Sequence, residues 1–556
     1  MPTCPTARRI APRAALSCLA AAVLAALPGP AAAQFTSGNR DVLTANTGAW
    51  PAGGVSLGGT TFVNLGLQGV GRIAANATDP ATGETLGSIS DMQITGFTSN
   101  GNGTWSGTFH FLPDRGYNSG ATFSNYAARV NTFSFTFTPY TGAAPAAGQN
   151  QIAMSFTGST RFTYDHDANP LTAPVYTTGL LANGTAALFG TTVPVVTGAT
   201  TQSDGTVTNR LTLDTEGLVL DNRAGKAGTG WVSDEYGAYI YRFDAGKRLT
   251  GQVQLPAALV PHAPVGTVNF AADANLNGRR TNQGLEGLAQ SPSGNRLFAL
   301  EQSATLQDSG SGNVGRSNTR LMVFDVSGSD TPAGPAAQYV IQLPRVDDNG
   351  GTPAVNRTAA QSAIVALNDH QLLILSRDGN GRGAAGSPVF KSILLADLNG
   401  ATPLAGFDAE GAAVAPGGVL NANVTPIQWT EALNLLGKLG TNPASELSRF
   451  GLNLNTAPGD INTLSEKWEA LSLVPVGDGS GQYFLFVGND NDFMSQTGSL
   501  IDAAGNLVSY NAGLENDTMV LAFRVAAVPE PETYALLLAG LGVVGALARR
   551  RSRRPA

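Results

Sequence analysis

Acidic residues recur in this chain at the ends of short apolar runs. In Asp214–Leu220 (DTEGLVL), Gly284–Gln290 (GLEGLAQ) and Lys467–Leu473 (KWEALSL), a Glu precedes a small residue and an apolar run. A second apolar run follows after a turn and ends in Asp or Glu, as in Trp231–Gly237 and Tyr483–Asp492. Carboxylates gathered from several such units could hold a hard cation, and a bound cation can activate water for hydrolysis.

Two weaker copies of the same unit are present. Ser88–Ile94 leads to Phe109–Gly116, and Gln361–Leu367 leads to Leu372–Gly383. The acids of the five copies, which we predict as metal ligands, are Asp91, Asp114, Glu216, Asp234, Glu235, Glu286, Glu301, Asp378, Glu469, Asp490 and Asp492. The four histidines show no metal-type spacing, and ligands that offer only oxygen favour Ca²⁺ over Zn²⁺.

Basic residues stand beside several of these acids and could stabilise charge that develops during hydrolysis of a phosphate. The predicted catalytic set is Glu216, Glu286, Glu469, Arg115, Arg377 and Lys467. In a second interpretation the acids cap turns, accept backbone N–H groups and pair with the same basic residues. Glu is a poorer turn cap than Asp, Asn or Ser, which favours the functional interpretation for the three glutamates.

The repeated units predict an all-β fold. Only 13% of residues are charged and 68 are Gly, which is typical of loop-rich β proteins. Thr132–Phe137 alternates polar and apolar residues, as a half-buried strand does. Hairpins that recur at intervals of tens of residues predict a β-propeller of five to seven blades, with six preferred. Equivalent strand ends would then converge around a central channel and bring distant acids together.

Stretches of different composition interrupt the repeats. We predict insertions at about 141–205, which is rich in Ala, Gly, Thr and Pro, and at about 400–460. Within the second stretch, apolar residues recur at helical spacing, Trp429 and Leu433 among them. This spacing predicts a short helical insertion at 428–450.

The charge balance argues against nucleic acid as a partner. The formal net charge is −7, and eight of the 33 basic residues lie outside residues 34–528. The β domain that we predict over 34–528 is therefore more acidic than the whole chain. Phosphate backbones require clustered Lys and Arg, whereas an acidic domain suits cation binding.

The first 33 residues have the three parts of a secretory signal peptide. A basic start precedes the apolar run Ala14–Leu27 and the small-residue cleavage site Ala31–Ala33. Cys4 and Cys18 are the two cysteines of the chain, and both lie in this segment. We therefore expect export through the Sec route and a mature domain without disulfides or thiolate metal sites.

The C-terminal end carries a second targeting signal. Val528–Glu532 contains Pro-Glu-Pro and is followed by the apolar stretch Tyr534–Ala548 and by Arg549–Arg551. This order resembles the PEP-CTERM sorting signal of Gram-negative bacteria. The resemblance implies that residues 529–556 are recognised by an exosortase-type machinery, with a transmembrane helix at 534–548. The chain would be anchored in the envelope and reach the cell surface or extracellular space after the tail is processed.

The repeated motifs also resemble the phytase-like family, known as esterase-like activity of phytase. DTEGLVL, GLEGLAQ, KWEALSL and the early turn FLPDRGYN carry the resemblance, which covers roughly residues 65–525. It implies a propeller related to alkaline β-propeller phytases, which use calcium to hydrolyse phosphomonoesters. The chain departs from the family pattern in the run around Asp91 and at Ala470, where a Gly is usual.

Three functions remain open from the sequence. One is a calcium-dependent phosphoesterase acting on a small phosphate ester, which basic residues near the acids would favour. Another is a calcium-dependent esterase or lactonase, which a single strong metal site would favour. The third is a non-enzymatic surface propeller that contacts exopolysaccharide or partner proteins, in which neither fold nor activity depends on metal.

Overall fold

The computed structural model describes residues 35–529. The residues left out within that range are listed here: 52, 121, 166–173, 202–206, 271–274, 350–353, 440–444 and 455–458. The predicted signal peptide at 1–33 and the predicted membrane helix at 534–548 lie outside the described residues. Within the described part, no helix is long and apolar enough to cross a membrane.

Strands dominate this part of the chain, which confirms the all-β prediction. Helical structure in the described residues is limited to three 3₁₀ turns, Asn313–Arg316, Pro416–Gly418 and Leu447–Phe450.

Five antiparallel sheets form the body of the described chain. From the first strand of each repeat outward, sheet 1 contains Asp91–Ser99, Trp105–Leu112, Arg129–Phe137 and Ile152–Arg161. Sheet 2 contains Thr215–Leu220, Gly230–Asp234, Tyr239–Phe243 and Leu249–Val253. Sheet 3 contains Leu285–Gln290, Arg296–Glu301, Asn318–Asp325 and Ala337–Gln342. Sheet 4 contains Ala360–Ala366, Gln371–Arg377, Lys391–Asp397 and Gln428–Asn434. Sheet 5 contains Lys467–Pro475, Gln482–Asp490, Thr518–Pro529, Thr60–Ile73 and Val55–Leu57.

The first strands of the five sheets pack against one another in a closed cycle. The strand of sheet 1 contacts those of sheets 2 and 5, and the cycle continues through sheets 3 and 4. We call these five strands the inner strands. The arrangement is propeller-like. The ring contains five sheets in the described residues, whereas the sequence favoured six blades.

Smaller sheets of two or three strands lie around this ring. Three-stranded sheets join Asp41–Val42 with Arg345–Val346 and Arg357–Thr358, and Gly184–Leu188 with Thr191–Thr201 and Val207–Leu211. Two-stranded pairs join Ala49–Trp50 with Lys438–Leu439, Asn118–Ser119 with Thr122–Phe123, Thr163–Tyr164 with Val175–Tyr176, and Gly498–Ile501 with Leu507–Tyr510.

Burial along the strands follows their place in the ring. Phe133, Phe135 and Phe137 are buried while Ser134 and Thr136 between them are exposed, as the alternating pattern predicts. The inner strand Thr215–Leu220 is buried at its first five positions because it faces other strands on both sides. The hydrophobic clusters accordingly lie between neighbouring sheets, as between sheets 2 and 3.

The predicted helix at 428–450 is wrong. Residues Gln428–Asn434 form the outer strand of sheet 4, and only Leu447–Phe450 makes a 3₁₀ turn. All residues of this strand except Gln428 are buried, so it does not alternate. A strand buried on both faces is not distinguished from a buried helix by its apolar spacing.

The two stretches that we predict as insertions each include one strand of the ring. Ile152–Arg161 lies within 141–205 and forms the outer strand of sheet 1, and Gln428–Asn434 lies within 400–460. The first stretch also contains Gly184–Leu188 and Thr191–Thr201, two strands of the three-stranded side sheet.

Candidate active and metal-binding site

A central cavity of about 340 Å³ lies where strand ends of all five sheets meet. Its carboxylates are Asp114, Asp214, Glu216, Glu235, Glu286, Asp378, Glu469, Asp490 and Asp492. Its cationic side chains are Arg115, Arg316, Arg357, Arg377 and Lys467. The nine acids outnumber the five bases, so the cavity is suited to a cation in addition to its own bases.

A bulge in each of three inner strands sets the direction of the glutamates. The register shifts between Thr215 and Leu218 in sheet 2, with Glu216 inside the shift. Corresponding shifts enclose Glu286 in sheet 3 and Glu469 in sheet 5. A bulge removes a residue from the regular alternation and re-aims its side chain. The recurring Glu therefore turns into the cavity instead of into the space between sheets.

Sheet 2 supplies one group of three carboxylates, which we call the sheet-2 triad. Asp214, Glu216 and Glu235 have carboxylate oxygens within 4.8 Å of one another. Burial, followed by the charge of Glu286, raises the pKa of Glu216 well above its usual range. Burial, followed by the charge of Asp214, raises the pKa of Glu235 to about 8. Like charges this close require a counter-ion to remain ionised together, and a divalent cation would supply one.

Sheets 1 and 5 supply a second group, the sheet-1/5 triad. Asp114, Asp490 and Asp492 also have carboxylate oxygens within 4.8 Å of one another. Burial, followed by the charge of Asp214, raises the pKa of Asp114 to about 8. Lys467 Nζ lies 2.5 Å from Asp492 Oδ1 and 3.5 Å from Asp490 Oδ2. This triad therefore has a protein cation of its own.

Glu286 and Glu469 lie in the same cavity with different partners. The side-chain amide of Gln302 donates to Oε1 of Glu286, and Oε2 is buried without a hydrogen-bond partner among the described residues. Arg377 donates to Oε1 of Glu469. Although burial raises the pKa of Glu469, the charges of Arg377 and Lys467 outweigh it and lower that pKa. Glu286 thus retains an open oxygen, and Glu469 forms a buried ion pair.

Eight of the eleven predicted metal ligands line the cavity, and three lie elsewhere. Asp91 accepts the backbone N–H groups of Met92 and Leu218 at 2.8 and 2.7 Å. Asp234 closes a turn by accepting N–H groups from Asp214, Tyr236 and Gly237. Glu301 is fully buried and does not line the cavity.

Asp378 lines the cavity, but both of its oxygens are engaged. Oδ1 accepts from Lys391 Nζ at 2.9 Å, and Oδ2 accepts from the backbone of Phe390 at 2.7 Å. For Asp91, Asp234 and Asp378 the contacts correspond to the structural alternative, in which acids cap turns and pair with bases.

The three predicted basic residues all reach the cavity, and each is ion-paired. Arg115 Nη1 lies 3.1 Å from Asp214 Oδ2, Arg377 contacts Glu469, and Lys467 contacts the sheet-1/5 triad. Burial alone would lower the pKa of Arg115, but the charge of Asp214 raises it overall. These residues therefore neutralise part of the acidic charge within the site.

Three charged residues of the cavity, Asp214, Arg316 and Arg357, were not selected from the sequence. Asp214 opens the quoted stretch DTEGLVL, so its position beside Glu216 was a usable signal. Arg316 lies in the 3₁₀ turn of sheet 3, and Arg357 lies on the short strand before sheet 4. Neither arginine belongs to a repeated unit, so no sequence pattern pointed to them.

The donor set is compatible with calcium. The cavity lining offers carboxylate and amide oxygens, and neither His nor Cys is among the lining residues. Two close carboxylate groups and the open Oε2 of Glu286 supply ligands of the kind that Ca²⁺ prefers over softer metals.

Similar proteins include an uncharacterised secreted protein of Arthroderma benhamiae. It is 31% identical over 482 residues, which are 80% of this chain and 89% of the relative. Among solved structures, the periplasmic gluconolactonase of Pseudomonas aeruginosa is 12% identical with a TM-score of 0.25, covering 83% of this chain and 99% of that one. A protein provisionally named 6-phosphogluconolactonase from Bacteroides uniformis is 12% identical with a TM-score of 0.25, covering 81% and 92%. The two structural likenesses are too low to support an argument about this chain.

Two family descriptions match the chain directly. Residues 527–554 match the PEP-CTERM protein-sorting motif. Residues 86–493, which include both carboxylate triads, match the phytase-like family described as esterase-like activity of phytase. With a match over most of its length, the chain belongs to the phytase-like family.

Proposed function

We propose that this chain is a calcium-dependent phosphoesterase that hydrolyses small phosphate esters in the central cavity. The observation that supports this proposal is that two arginines, Arg316 and Arg357, line the same cavity as the two carboxylate triads. The two triads come from sheets 5, 1 and 2, whereas Arg316 lies in the 3₁₀ turn of sheet 3 and Arg357 lies on the short strand before sheet 4. A phosphate ester could contact a cation held by the acids on one side and the two arginines on the other.

Arg316 is suited to bind an anion. Its Nη1 donates to Gln283 Oε1 at 3.1 Å, and no carboxylate of the described chain pairs with it. Its Nε is buried and has no hydrogen-bond partner among the described residues. Burial, followed by the charge of Arg357, lowers the pKa of Arg316. A bound phosphate would relieve this repulsion and satisfy the open donor, because guanidinium groups pair well with phosphate oxygens.

The residues of the cavity have distinct proposed roles. Asp214, Glu216 and Glu235 would hold calcium, assisted by Asp114, Asp490 and Asp492. Calcium, when bound, would polarise the phosphoryl group.

Around that centre, Arg316 and Arg357 would bind phosphoryl oxygens and orient the ester. Glu286, fixed through Oε1 by Gln302, offers Oε2 as the atom that accepts a proton from the attacking water. Arg377 keeps Glu469 ionised beside it.

The test compares p-nitrophenyl phosphate with p-nitrophenyl acetate, with calcium or with chelator. We expect turnover of the phosphate that requires calcium, and a loss of calcium affinity of about tenfold or more in Glu216→Gln. Asp325→Asn, which removes a half-exposed acid outside the cavity, is the matched control. Arg316→Gln should raise KM for the phosphate and leave calcium affinity unchanged.

The same assay separates the alternatives. Calcium-dependent cleavage of the acetate but not of the phosphate would replace our proposal with an esterase or lactonase, a reaction that the family description also names. Absence of turnover, with calcium affinity unchanged in Glu216→Gln, would leave a non-enzymatic surface protein that contacts polysaccharide or other partners.

We also propose where this activity is located. The match to the sorting motif supports recognition by an exosortase, processing of the tail and delivery to the cell surface or beyond. The secreted relative supports export. Calcium is available in that location. Immunoblotting of cell-surface and medium fractions, with and without Pro529 and Pro531 replaced by Ala, would test the route.

A further inference from the structure

A second pocket lies at the outer edge of sheet 1, away from the central cavity. It has a volume of about 280 Å³ and is lined by residues that include Asn125, Arg129, Arg161, Tyr176, Thr200 and Arg210. These residues come from the outer strands of sheet 1, the short pair that contains Tyr176 and the side sheet that contains Thr191–Thr201. We call it the edge pocket, and it shares no lining residue with the central cavity.

The edge pocket concentrates positive charge. Arg129 and Arg161 are directly opposite each other on neighbouring strands, an arrangement that is unfavourable for like charges. Arg129 is neutralised by Glu84, the acidic residue of the pocket lining, at 2.6 Å and by Asp79 at 3.7 Å. The side chain of Arg161 has no ion pair or hydrogen bond with any described residue, and its guanidinium lies 4.0 Å from the centre of the Tyr176 ring. Its planar set of donors is therefore open to a ligand.

Arg210 adds a second, firmly held charge. Its Nε donates to the carbonyl of Tyr176 at 3.1 Å, its Nη1 donates to Asn125 Oδ1 at 2.5 Å, and its Nη2 donates to the carbonyl of Thr177. No carboxylate among the described residues pairs with it. Burial is the largest cause that lowers the pKa of Arg210, and the charge of Arg161 adds to it. A partly buried cation without a counter-ion is costly, and an anion between Arg161 and Arg210 would offset that cost.

We propose that the edge pocket binds an oxyanion carried on a small organic molecule, either a carboxylate or a phosphate ester. Arg161 supplies a planar guanidinium with unpaired N–H donors, whose geometry matches both carboxylate and phosphate oxygens. Arg210 supplies a fixed positive charge, and the ring of Tyr176, 42% exposed, offers an apolar surface for the body of the ligand. Acidic sugars fit this description, and the pocket would act as a binding site separate from hydrolysis.

Titration calorimetry on the purified full-length chain tests this proposal. D-glucuronate, inorganic phosphate and neutral glucose are the probes, and EDTA is present so that metal in the central cavity does not contribute. We expect saturable binding of at least one anion and none of glucose. Arg161→Gln should weaken that binding about tenfold, equivalent to about 1.4 kcal/mol, since a charge-assisted hydrogen bond is lost. Arg161→Lys keeps the charge but loses the planar guanidinium, and its affinity for the anion should be intermediate.

The controls make the result decisive. Arg296→Gln removes an arginine of similar exposure that pairs with Asp325 outside the pocket, and it should bind like the parent chain. Binding of glucuronate alone identifies a carboxylate site, and binding of phosphate alone identifies a phosphate site. The proposal is overturned if neither anion binds, if Arg161→Gln binds as tightly as the parent, or if Arg316→Gln abolishes binding while Arg161→Gln does not.

Discussion

The role of each acid in this protein depends on which of its oxygens are already engaged. Asp378 and Asp91 both direct their oxygens to N–H groups of the protein, so little capacity remains for a ligand. Glu286 keeps one buried oxygen without a partner in the described part of the chain. All three are carboxylates of the repeated units in the sequence, and their contacts in the structure separate structural acids from candidate ligands.

Asp91→Asn should destabilise the fold without weakening calcium binding. Asp91 joins two sheets, because its Oδ2 accepts the N–H of Leu218 on the inner strand of sheet 2. An Asn amide would direct a donor toward one of the two N–H groups and lose that bond, at a cost of about 1–3 kcal/mol. Urea unfolding measures the stability, and calorimetry measures the calcium affinity. A tenfold loss of affinity with unchanged stability would instead identify Asp91 as a ligand.

The small residue after each recurring Glu lies where neighbouring inner strands approach each other closely. A Cβ at Gly217 would lie 2.6 Å from Leu288 Cβ and 2.8 Å from the carbonyl of Glu286 in the next sheet. In sheet 5 the equivalent position is Ala470. Its Cβ faces Gly488 on the neighbouring strand, where an added Cβ would lie 3.3 Å away. The departure from Gly is therefore accommodated by a second Gly nearby.

Gly217→Ala should force sheets 2 and 3 apart and destabilise the protein by about 1–3 kcal/mol, the usual cost of overpacking. The sheet-2 triad includes Glu216, so calcium affinity should fall as well. Gly328→Ala is the control, because nothing lies within 4 Å of the Cβ it would add. Equal urea midpoints for the two variants would show that the inner strands can separate at no cost.

Glu431, on the outer strand of sheet 4, should make stability depend on pH. The side chain is 3% exposed and accepts from Asn46 Nδ2 at 2.5 Å and Ser392 Oγ at 2.7 Å. Burial raises its pKa from 4.5 to about 7. A carboxyl with a raised folded-state pKa contributes stability that is fully present below pH 4.5 and is lost as pH rises through 7, and the loss is about 3 kcal/mol.

Glu431→Gln removes this dependence, because the neutral amide can still accept both hydrogen bonds through Oε1. We expect the variant to match the parent chain near pH 4.5 and to exceed its free energy of unfolding by about 3 kcal/mol at pH 8. Urea titrations at the two pH values measure the difference. If the free energies of unfolding of variant and parent differ by the same amount at both pH values, the parent carboxyl does not change its protonation over this range.

The repeated hairpins of this fold can be predicted from the sequence more fully than the segments around them. The Glu and the second-strand acid could be predicted because both recur at the same places in the repeated hairpins, and the bulge that re-aims Glu216 falls within the recurring motif. Arg316 and Arg357 could not be predicted, since they lie outside the repeated hairpins. Only the folding of the sheets into a ring places them at the cavity. Gln428–Asn434 was misassigned because burial on both faces removes the alternation that identifies a strand.

The ring is closed by segments from near both ends of the described chain. Thr60–Ile73 pairs with Thr518–Pro529, which pairs in turn with Gln482–Asp490. The strand Thr518–Pro529 is thus the only link in sheet 5, within the described residues, between its early and late strands. Sheet 5 also carries Glu469, Asp490 and Asp492, so closure of the ring and completion of the cavity depend on the same strand.

Ending the chain at residue 517 should therefore abolish both the cooperative unfolding transition and calcium binding. Removal of the central strand of sheet 5 leaves Thr60–Ile73 unpaired on that side and takes buried apolar residues such as Leu521 and Phe523 out of the core. Ending the chain at residue 529 keeps every strand of the ring and should leave both properties intact. Circular dichroism during urea unfolding and calcium calorimetry compare the two truncations. If the chain that ends at 517 still unfolds cooperatively and binds calcium, the ring does not require closure, and the carboxylates of sheet 5 are held in place by their own hairpin.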